Sequence, residues 1–243
     1  MHFVCAATAA SLLASCTTAY KYGPGNLGTE ARILLTPANQ DSVNTAHYFT
    51  ERISFNLGNG YNPDESCIYS DGSWHMGYSR KYFSCGVGAG IFYGNYKVVK
   101  FSPEAGRKNF YGFTGTGQVA LNIPLGRYVN WRIIGLRSGF AWEGGGLYDF
   151  RMRNRNYPGF DSYYESPFIW NFGPCSELMV QVDAYRIGLF SGNNFLMGSG
   201  RLLGLTSSAG IYAGYLEYNL NYQFTGSSHG NSAHELGIIY RFH

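Results

Sequence analysis

The sequence predicts an all-β chain, an antiparallel transmembrane up-and-down β-barrel of ten strands, with eight as the alternative if two weakly patterned segments are not strands. Three observations carry that expectation. Only 14% of the 243 residues are charged, against about 25% in a typical soluble domain, so apolar area has to be hidden somewhere other than beneath a charged shell. After the first residues no stretch approaches the ~18 consecutive apolar residues of a membrane helix, and the mean hydropathy is only -0.18. Apolar and polar residues instead alternate with a period of two. Strands with one face in lipid and the other in a lumen average to neutral hydropathy in this way. The formal charge of +3 gives no reason to invoke nucleic acid, whose binders cluster basic residues on one face.

The chain opens with an apolar run, Phe3 to Ala14, of signal-peptide length and too short to span a bilayer as a helix. Leu13-Ala14-Ser15-Cys16 follows and resembles the lipobox of bacterial lipoproteins, although Met1-His2 supplies no basic residue ahead of it. The resemblance implies a signal peptide over residues 1–15, lipidation of Cys16, and a lipid-anchored tether over 16–45. An ordinary apolar strand with an incidental Cys is the competing reading. Gly23-Pro-Gly25 and Pro37-Ala-Asn39 break any period in the tether, and Ala31 to Leu35 reads equally as a short strand or a plug segment.

Residues 46–243 carry the barrel. His47 to Leu57 sets Phe49, Ile53, Phe55 and Leu57 against Thr50, Arg52, Ser54 and Asn56, with Glu51 breaking the apolar face. A turn-rich loop, 58–65, leads to a return strand near Ser73 to Ser79, and a tight turn follows at Arg80-Lys81. Tyr82 to Tyr96 alternates Phe83, Cys85, Val87, Ala89, Ile91 and Tyr93 with a face that is almost all glycine. Inside a narrow barrel such a face makes room for large side chains from opposite strands. Phe110 to Ile123 repeats the pattern and turns at Pro124 to Arg127. In Tyr128 to Glu143, Arg132 and Arg137 fall on opposite parities, which would put one of them near an interface. Glu165 to Asp183 carries the longest alternation. Tyr185 to Gly192 and a return through Leu196 to Thr206 form a further hairpin. Ala209 to Phe224 then reads as one strand, with Tyr212, Leu216, Tyr218, Leu220 and Tyr222 opposed to Ala213, Glu217, Asn219 and Asn221.

The last strand, Ser232 to Phe242, puts Leu236, Ile238, Tyr240 and Phe242 on one face and Glu235, Gly237, Ile239 and Arg241 on the other. Glu235-Leu-Gly237-Ile-Ile-Tyr240-Arg-Phe242 resembles the assembly signal of bacterial outer-membrane β-barrels, with Gly237, Tyr240 and Phe242 at its marked positions and His243 as an added residue. The resemblance implies a location in the bacterial outer membrane and passage through the barrel-assembly machinery. It also implies outer-membrane lipid and lipopolysaccharide as surroundings.

Candidate sites follow from parity and composition. Arg52, Arg137, Glu177, Gln181, Arg186, Glu217, Glu235 and Arg241 are expected to face the lumen. There a charge needs a partner, so they form an internal ion-pair plug or, on the sharper reading, line a narrow selective pore. Gly144 to Tyr164 reads as an external loop. If extended, it aligns Arg151, Arg153 and Arg155 on one face beside Tyr148 and Tyr157, a combination suited to phosphate, carboxylate or sugar and hence to lipopolysaccharide or surface polysaccharide. Ser227-Ser228-His229 with Ser232, His234 and Glu235 superficially resembles the lipid A deacylases. The His-x-Ser motif of that family is absent, since Asn231 and Leu236 occupy the positions two after each His. Cys85 and Cys175 should point to opposite sides of the wall, which argues against a disulfide. No metal spacing and no cofactor motif is found. The expected function is a non-enzymatic structural or surface-interaction role, with a narrow passive diffusion channel and a lipid-remodelling hydrolase as alternatives.

Overall fold

A computed structural model describes residues 20–22, 44–57, 64–162, 165–198, 201–227 and 232–242. The signal segment, Cys16, Ala31 to Leu35, Ser228, His229 and His243 lie outside them. In chain order the strands are β1 (Tyr20–Tyr22), β2 (Asn44–Leu57), β3 (Ser66–Arg80), β4 (Phe83–Val98), β5 (Gly106–Leu125) and β6 (Val129–Gly144). After a helix, α1 (Gly146–Asn154), come β7 (Phe160–Ser162), β8 (Phe168–Val182), β9 (Tyr185–Gly198), β10 (Arg201–Tyr215), β11 (Tyr218–Ser227) and β12 (Ser232–Phe242). A single 3₁₀ turn, η1 (Ser102–Glu104), lies between β4 and β5.

Ten of these strands close into one antiparallel barrel in which every neighbour is also the next barrel strand along the chain, except at the seam where β12 pairs with β2. The two short strands β1 and β7 pair in parallel outside that wall. One end of the barrel carries tight turns at 81–82, 126–128, 183–184 and 216–217, and the other carries the longer connections that hold η1, α1 and β7.

Burial alternates residue by residue along the strands. Outward-facing Val87, Ile91, Ile134, Leu220 and Leu236 are exposed, while inward-facing Arg52, Ser84, Asn171 and Glu235 are buried. Water would not tolerate so continuous an apolar exterior, so this is the wall of a membrane-spanning barrel. Tyrosines ring its turn end, with Tyr185 against Tyr215 and Tyr218 against Tyr240 at ring separations of 4.9 and 5.0 Å. Glu51 faces outward in mid-strand, between Ile238 and Gly72.

The strand count agrees with the sequence, but three details differ. Leu196 to Thr206 is not one return strand: β9 continues to Gly198, and Leu196 pairs with Gly204 of β10. Ala209 to Phe224 is not one strand: the chain reverses at Leu216-Glu217, with Leu216 at φ 52°. That reversal sends Tyr212 into the lumen, not onto the apolar face, and leaves Glu217 in a turn, outside the lumen network. In β6 the register shifts between Arg132 and Gly135. A bulge resets the parity, so Arg132 and Arg137 both point inward and neither marks an interface.

Candidate functional site

The inward-facing side chains meet at successive levels along the barrel. Nearest the turns, Ala46, Tyr48, Met179, Phe190, Tyr212 and Ile239 form a buried cluster, and Tyr48 stacks on His75 at 4.9 Å. Glycines on the same face permit this. A Cβ on Gly188 would lie 2.2 Å from the Tyr212 ring, and one on Gly210 would lie 2.3 Å from the Phe190 ring. Directly above, the Glu177 carboxylate accepts hydrogen bonds from Arg132 and from the Tyr212 hydroxyl.

Arg137 occupies the middle. Its Nε donates to Asn194 at 3.1 Å and its Nη2 to the Ser208 hydroxyl at 3.2 Å, joining β6 to β9 and β10. Across the lumen Arg52 stands between two carboxylates, Glu235 at 2.8 Å and Asp71 at 3.4 Å. The Tyr69 hydroxyl reaches the other oxygen of Glu235 at 3.4 Å. Arg52, Asp71 and Glu235 are all buried. These groups tie β3, β2 and β12 together across the seam.

The loop end is capped. The connection after β6 turns inward at Gly145, whose φ of 104° an L side chain rarely adopts. It then forms α1, which drops Leu147 and Phe150 onto the lumen-facing Tyr69, Phe92, Tyr96 and Phe110. Phe101 and Phe160 complete the lid, with Phe101 lying 5.7 Å from Phe150 and 5.3 Å from Phe160. Arg151 is fully buried and bonds Glu143 at 2.6 Å. Glu65 straps the cap's edge by accepting from the Tyr96 hydroxyl at 2.7 Å and from the backbone of Val99 and Lys100. On the outside, Glu104 accepts from Arg153 at 2.8 Å and Asn154 at 2.9 Å, with Lys108 at 3.6 Å. These contacts hold its carboxyl well below the ordinary value, at about 2, and push the Arg153 guanidinium up.

The residues expected in the lumen divide accordingly. Arg52, Arg137, Glu177 and Glu235 each join one of the contacts above. Arg186 also faces inward, opposite Gln181 in the register, and Gln181 donates to the Asp183 carbonyl at 3.4 Å. Arg241 lies on the inward parity next to the turns, and its backbone N–H donates to the Glu217 carbonyl. Glu217 itself lies in the turn between β10 and β11, outside the lumen. The loop arginines do not share one face either. A helix does not align residues two apart, so Arg151 points into the cap while Arg153 and Arg155 stay outside, with Tyr157 half exposed.

Of the candidate serine–histidine set, Ser228 and His229 lie outside the described residues, and His234 and Glu235 point to opposite sides of the wall. His234 faces outward and shares a 2.8 Å hydrogen bond with the Tyr222 hydroxyl, whereas Glu235 faces inward onto Arg52. Cys85 and Cys175 are free thiols on opposite parities. Among the described residues no cluster of three or more His, Cys, Asp or Glu could hold a metal ion.

Sequence reasoning missed Asp71, Glu143, Arg132 and Tyr212 as lumen partners. Asp71 shares the parity of His75, and extending that strand two residues toward the loop would have found it. Gly237, Tyr240 and Phe242 of the last strand also have identifiable contacts. Gly237 lies beneath Arg52, where a Cβ would come within 2.3 Å of the Arg52 Cγ. Tyr240 packs on Tyr218, and Phe242 stacks on His47 at 5.8 Å.

A closed antiparallel wall with an apolar outside, a polar inside and short turns opposite long loops defines an outer-membrane β-barrel protein. No protein-family model matches the sequence, and no curated protein matches it. Among solved structures, the chain is similar to the transport unit of the autotransporter AIDA-I from Escherichia coli, with 10% identity, a TM-score of 0.44, and coverage of 91% of this chain and 99% of that one. It is also similar to the translocator domain of the autotransporter NalP from Neisseria meningitidis, with 10% identity, a TM-score of 0.38, and coverage of 82% and 88%. LpxR from Salmonella typhimurium gives 9% identity, a TM-score of 0.38, and coverage of 80% and 100%.

Proposed function

We propose that this chain is a non-enzymatic outer-membrane β-barrel lipoprotein that acts through its outside, as a structural or surface-interaction protein, and not through its lumen. One observation carries the reading. The inward-facing side chains bond one another level by level, and α1 with β7 lies over the loop end. Buried carboxylates held by arginines serve poorly as bases or as a conduction path, because freeing either partner leaves an uncompensated charge.

Purified protein in planar bilayers tests this directly. The expected result is no discrete conductance, and steady unitary steps from the wild-type protein would establish the passive channel instead. Anchoring at Cys16, with residues 1–15 removed and 16–45 as a tether, rests on the lipobox resemblance. A Cys16→Ala variant that still incorporates labelled palmitate would refute it. Surface polysaccharide remains the candidate ligand of the α1 connection, through Arg153, Arg155 and Tyr157. Polysaccharide binding that is unchanged in an Arg155→Ala/Tyr157→Ala variant would remove that role.

A further inference from the structure

The lipid-facing wall is not uniformly bulky. One row across the outside runs Phe49, Trp74, Ala89, Gly115, Phe140, Trp170, each residue the cross-strand partner of the next. Two small residues therefore sit between pairs of aromatics; the Phe140 ring lies over Gly115, where a Cβ would come within 2.4 Å of it, and the row is low at Ala89. Toward the turns the next row is low beside it, at Gly117 and Ser138. The result is a groove of about 1220 Å³ on the outside of β3 to β6. That exceeds the ~300–1,000 Å³ of an ordinary small-molecule site, enough for more than one hydrocarbon chain. Its floor offers little hydrogen bonding, since the Ser138 hydroxyl is already committed to the Asn171 carbonyl at 3.1 Å.

Two of these strands, β4 and β5, carry a second feature above the groove. Toward the loop end the outward pairs of β4 and β5 run Ile91–Phe113, Tyr93–Tyr111, Asn95–Asn109 and finally Lys97–Arg107. Lys97 and Arg107 are both exposed and make none of the ion pairs among the described residues. Like charges directly opposite one another destabilise a ladder, and an anion between them reverses the sign of that interaction. From loop end to mid-wall the surface thus offers two cations, two amides, two tyrosines and an apolar trough.

We infer that this face is a binding site for a phosphorylated, multiply acylated glycolipid of the outer leaflet, with a phosphate between Lys97 and Arg107 and acyl chains over Gly117 and Ala89. The groove opens onto hydrocarbon and the cations lie on the loop side of the tyrosine pair, so one amphiphile meets both. The site lies outside the wall and stands whether or not the lumen conducts.

The test uses the detergent-purified full chain and three probes: bis-phosphorylated lipid A, the same lipid A with both phosphates removed, and phosphatidylglycerol. Binding is read by native mass spectrometry and by the fluorescence of the groove tryptophans. Bis-phosphorylated lipid A is expected to bind roughly thirtyfold more tightly than the dephosphorylated form, about fivefold for each cation. Lys97→Gln/Arg107→Gln should abolish that preference and leave binding of the dephosphorylated form unchanged. Gly117→Leu should weaken both forms. It fits the wall, because a Cβ there meets nothing nearer than the Gly86 carbonyl at 4.0 Å, and a retained heat-dependent gel shift verifies that the variants are folded. Equal affinity for the two lipid A forms, or affinities untouched by both sets of variants, overturns the inference. Phosphatidylglycerol binding as tightly with the same sensitivities overturns the assignment to a glycolipid.

Discussion

Replacing Arg52 with Met should be among the most damaging single changes in the lumen, and the arrangement at the seam says why. Arg52 lies 2.8 Å from Glu235 and 3.4 Å from Asp71, and all three side chains are nearly inaccessible. Removing the guanidinium leaves two buried carboxylates facing each other without it, a loss of about 3–5 kcal/mol. Glu235→Gln is milder. Arg52 keeps Asp71, and the loss is that of one charge-assisted hydrogen bond, about 1.5–3 kcal/mol. Exchanging the whole group, as Arg52→Met/Asp71→Leu/Glu235→Leu, removes the desolvation burden with the charges and should recover most of the loss. Urea unfolding in detergent micelles, followed by far-UV circular dichroism and heat-dependent gel mobility, gives the order. The expected ranking from least to most stable is Arg52→Met, Glu235→Gln, then the triple variant. A triple variant no more stable than Arg52→Met, or an Arg52→Met protein that unfolds with the wild type, would refute the reasoning.

Further predictions concern the seam and the cap. Gly237→Val places a side chain where the Arg52 stem lies, so the folded, heat-shifted fraction in membranes should fall steeply, whereas Gly117→Val should not lower it. Removing residues 240–243 deletes Tyr240 and Phe242 from the turn-end contacts with Tyr218 and His47, and membrane assembly should fail; normal insertion would contradict the account. Arg151→Ala withdraws the guanidinium from the buried Glu143, with an expected cost of about 3–5 kcal/mol concentrated in the cap. Protease cleavage within 145–162 should rise while the barrel core stays resistant. Glu104 has a folded-state value of about 2 against an ordinary 4.5, so its contribution is complete above pH 4.5 and is lost as the pH falls toward 2. Pepsin cleavage of the α1 connection should accordingly increase across that window, and Glu104→Gln should be equally susceptible throughout it.

The architecture was legible wherever alternation ran unbroken. The outward and inward faces of β4, β8 and β12 follow the parity of their sequences residue for residue. Reading failed where the chain changes parity without a composition marker. Tyr215-Leu-Glu-Tyr218 contains no Gly, Asn, Asp or Pro, yet it reverses direction with Leu216 at positive φ, because the paired strands on either side leave only two residues for the turn. The Arg132–Gly135 bulge is similarly unmarked, since Ile133-Ile134 looks like ordinary strand. The site was half legible. Parity shows that Arg52 and Glu235 face inward, but that Arg52 selects Glu235 and Asp71 depends on which strands become neighbours when the sheet closes. In the α1 connection, arginines spaced two apart suggested an extended ligand face, and tertiary packing of Leu147 and Phe150 overrode it with a helix.

The seam also sets the order of events during folding. Every other barrel pairing joins barrel strands that follow one another in the chain, with only α1 and β7 intervening between β6 and β8, while Arg52 and Glu235 are 183 positions apart. Closing a loop of that length costs about 2–3 kcal/mol more than closing one of ten residues. It can be offset only after the intervening strands have shortened the effective distance. Until then β2 and β12 are both open edges, competent to pair with any other strand, and Glu235 is without Arg52. The last step of folding is therefore a ring closure that converts a curved, aggregation-prone sheet into an edgeless one. An assembly system that holds the nascent barrel by its final strand would be holding one of the two edges that must meet.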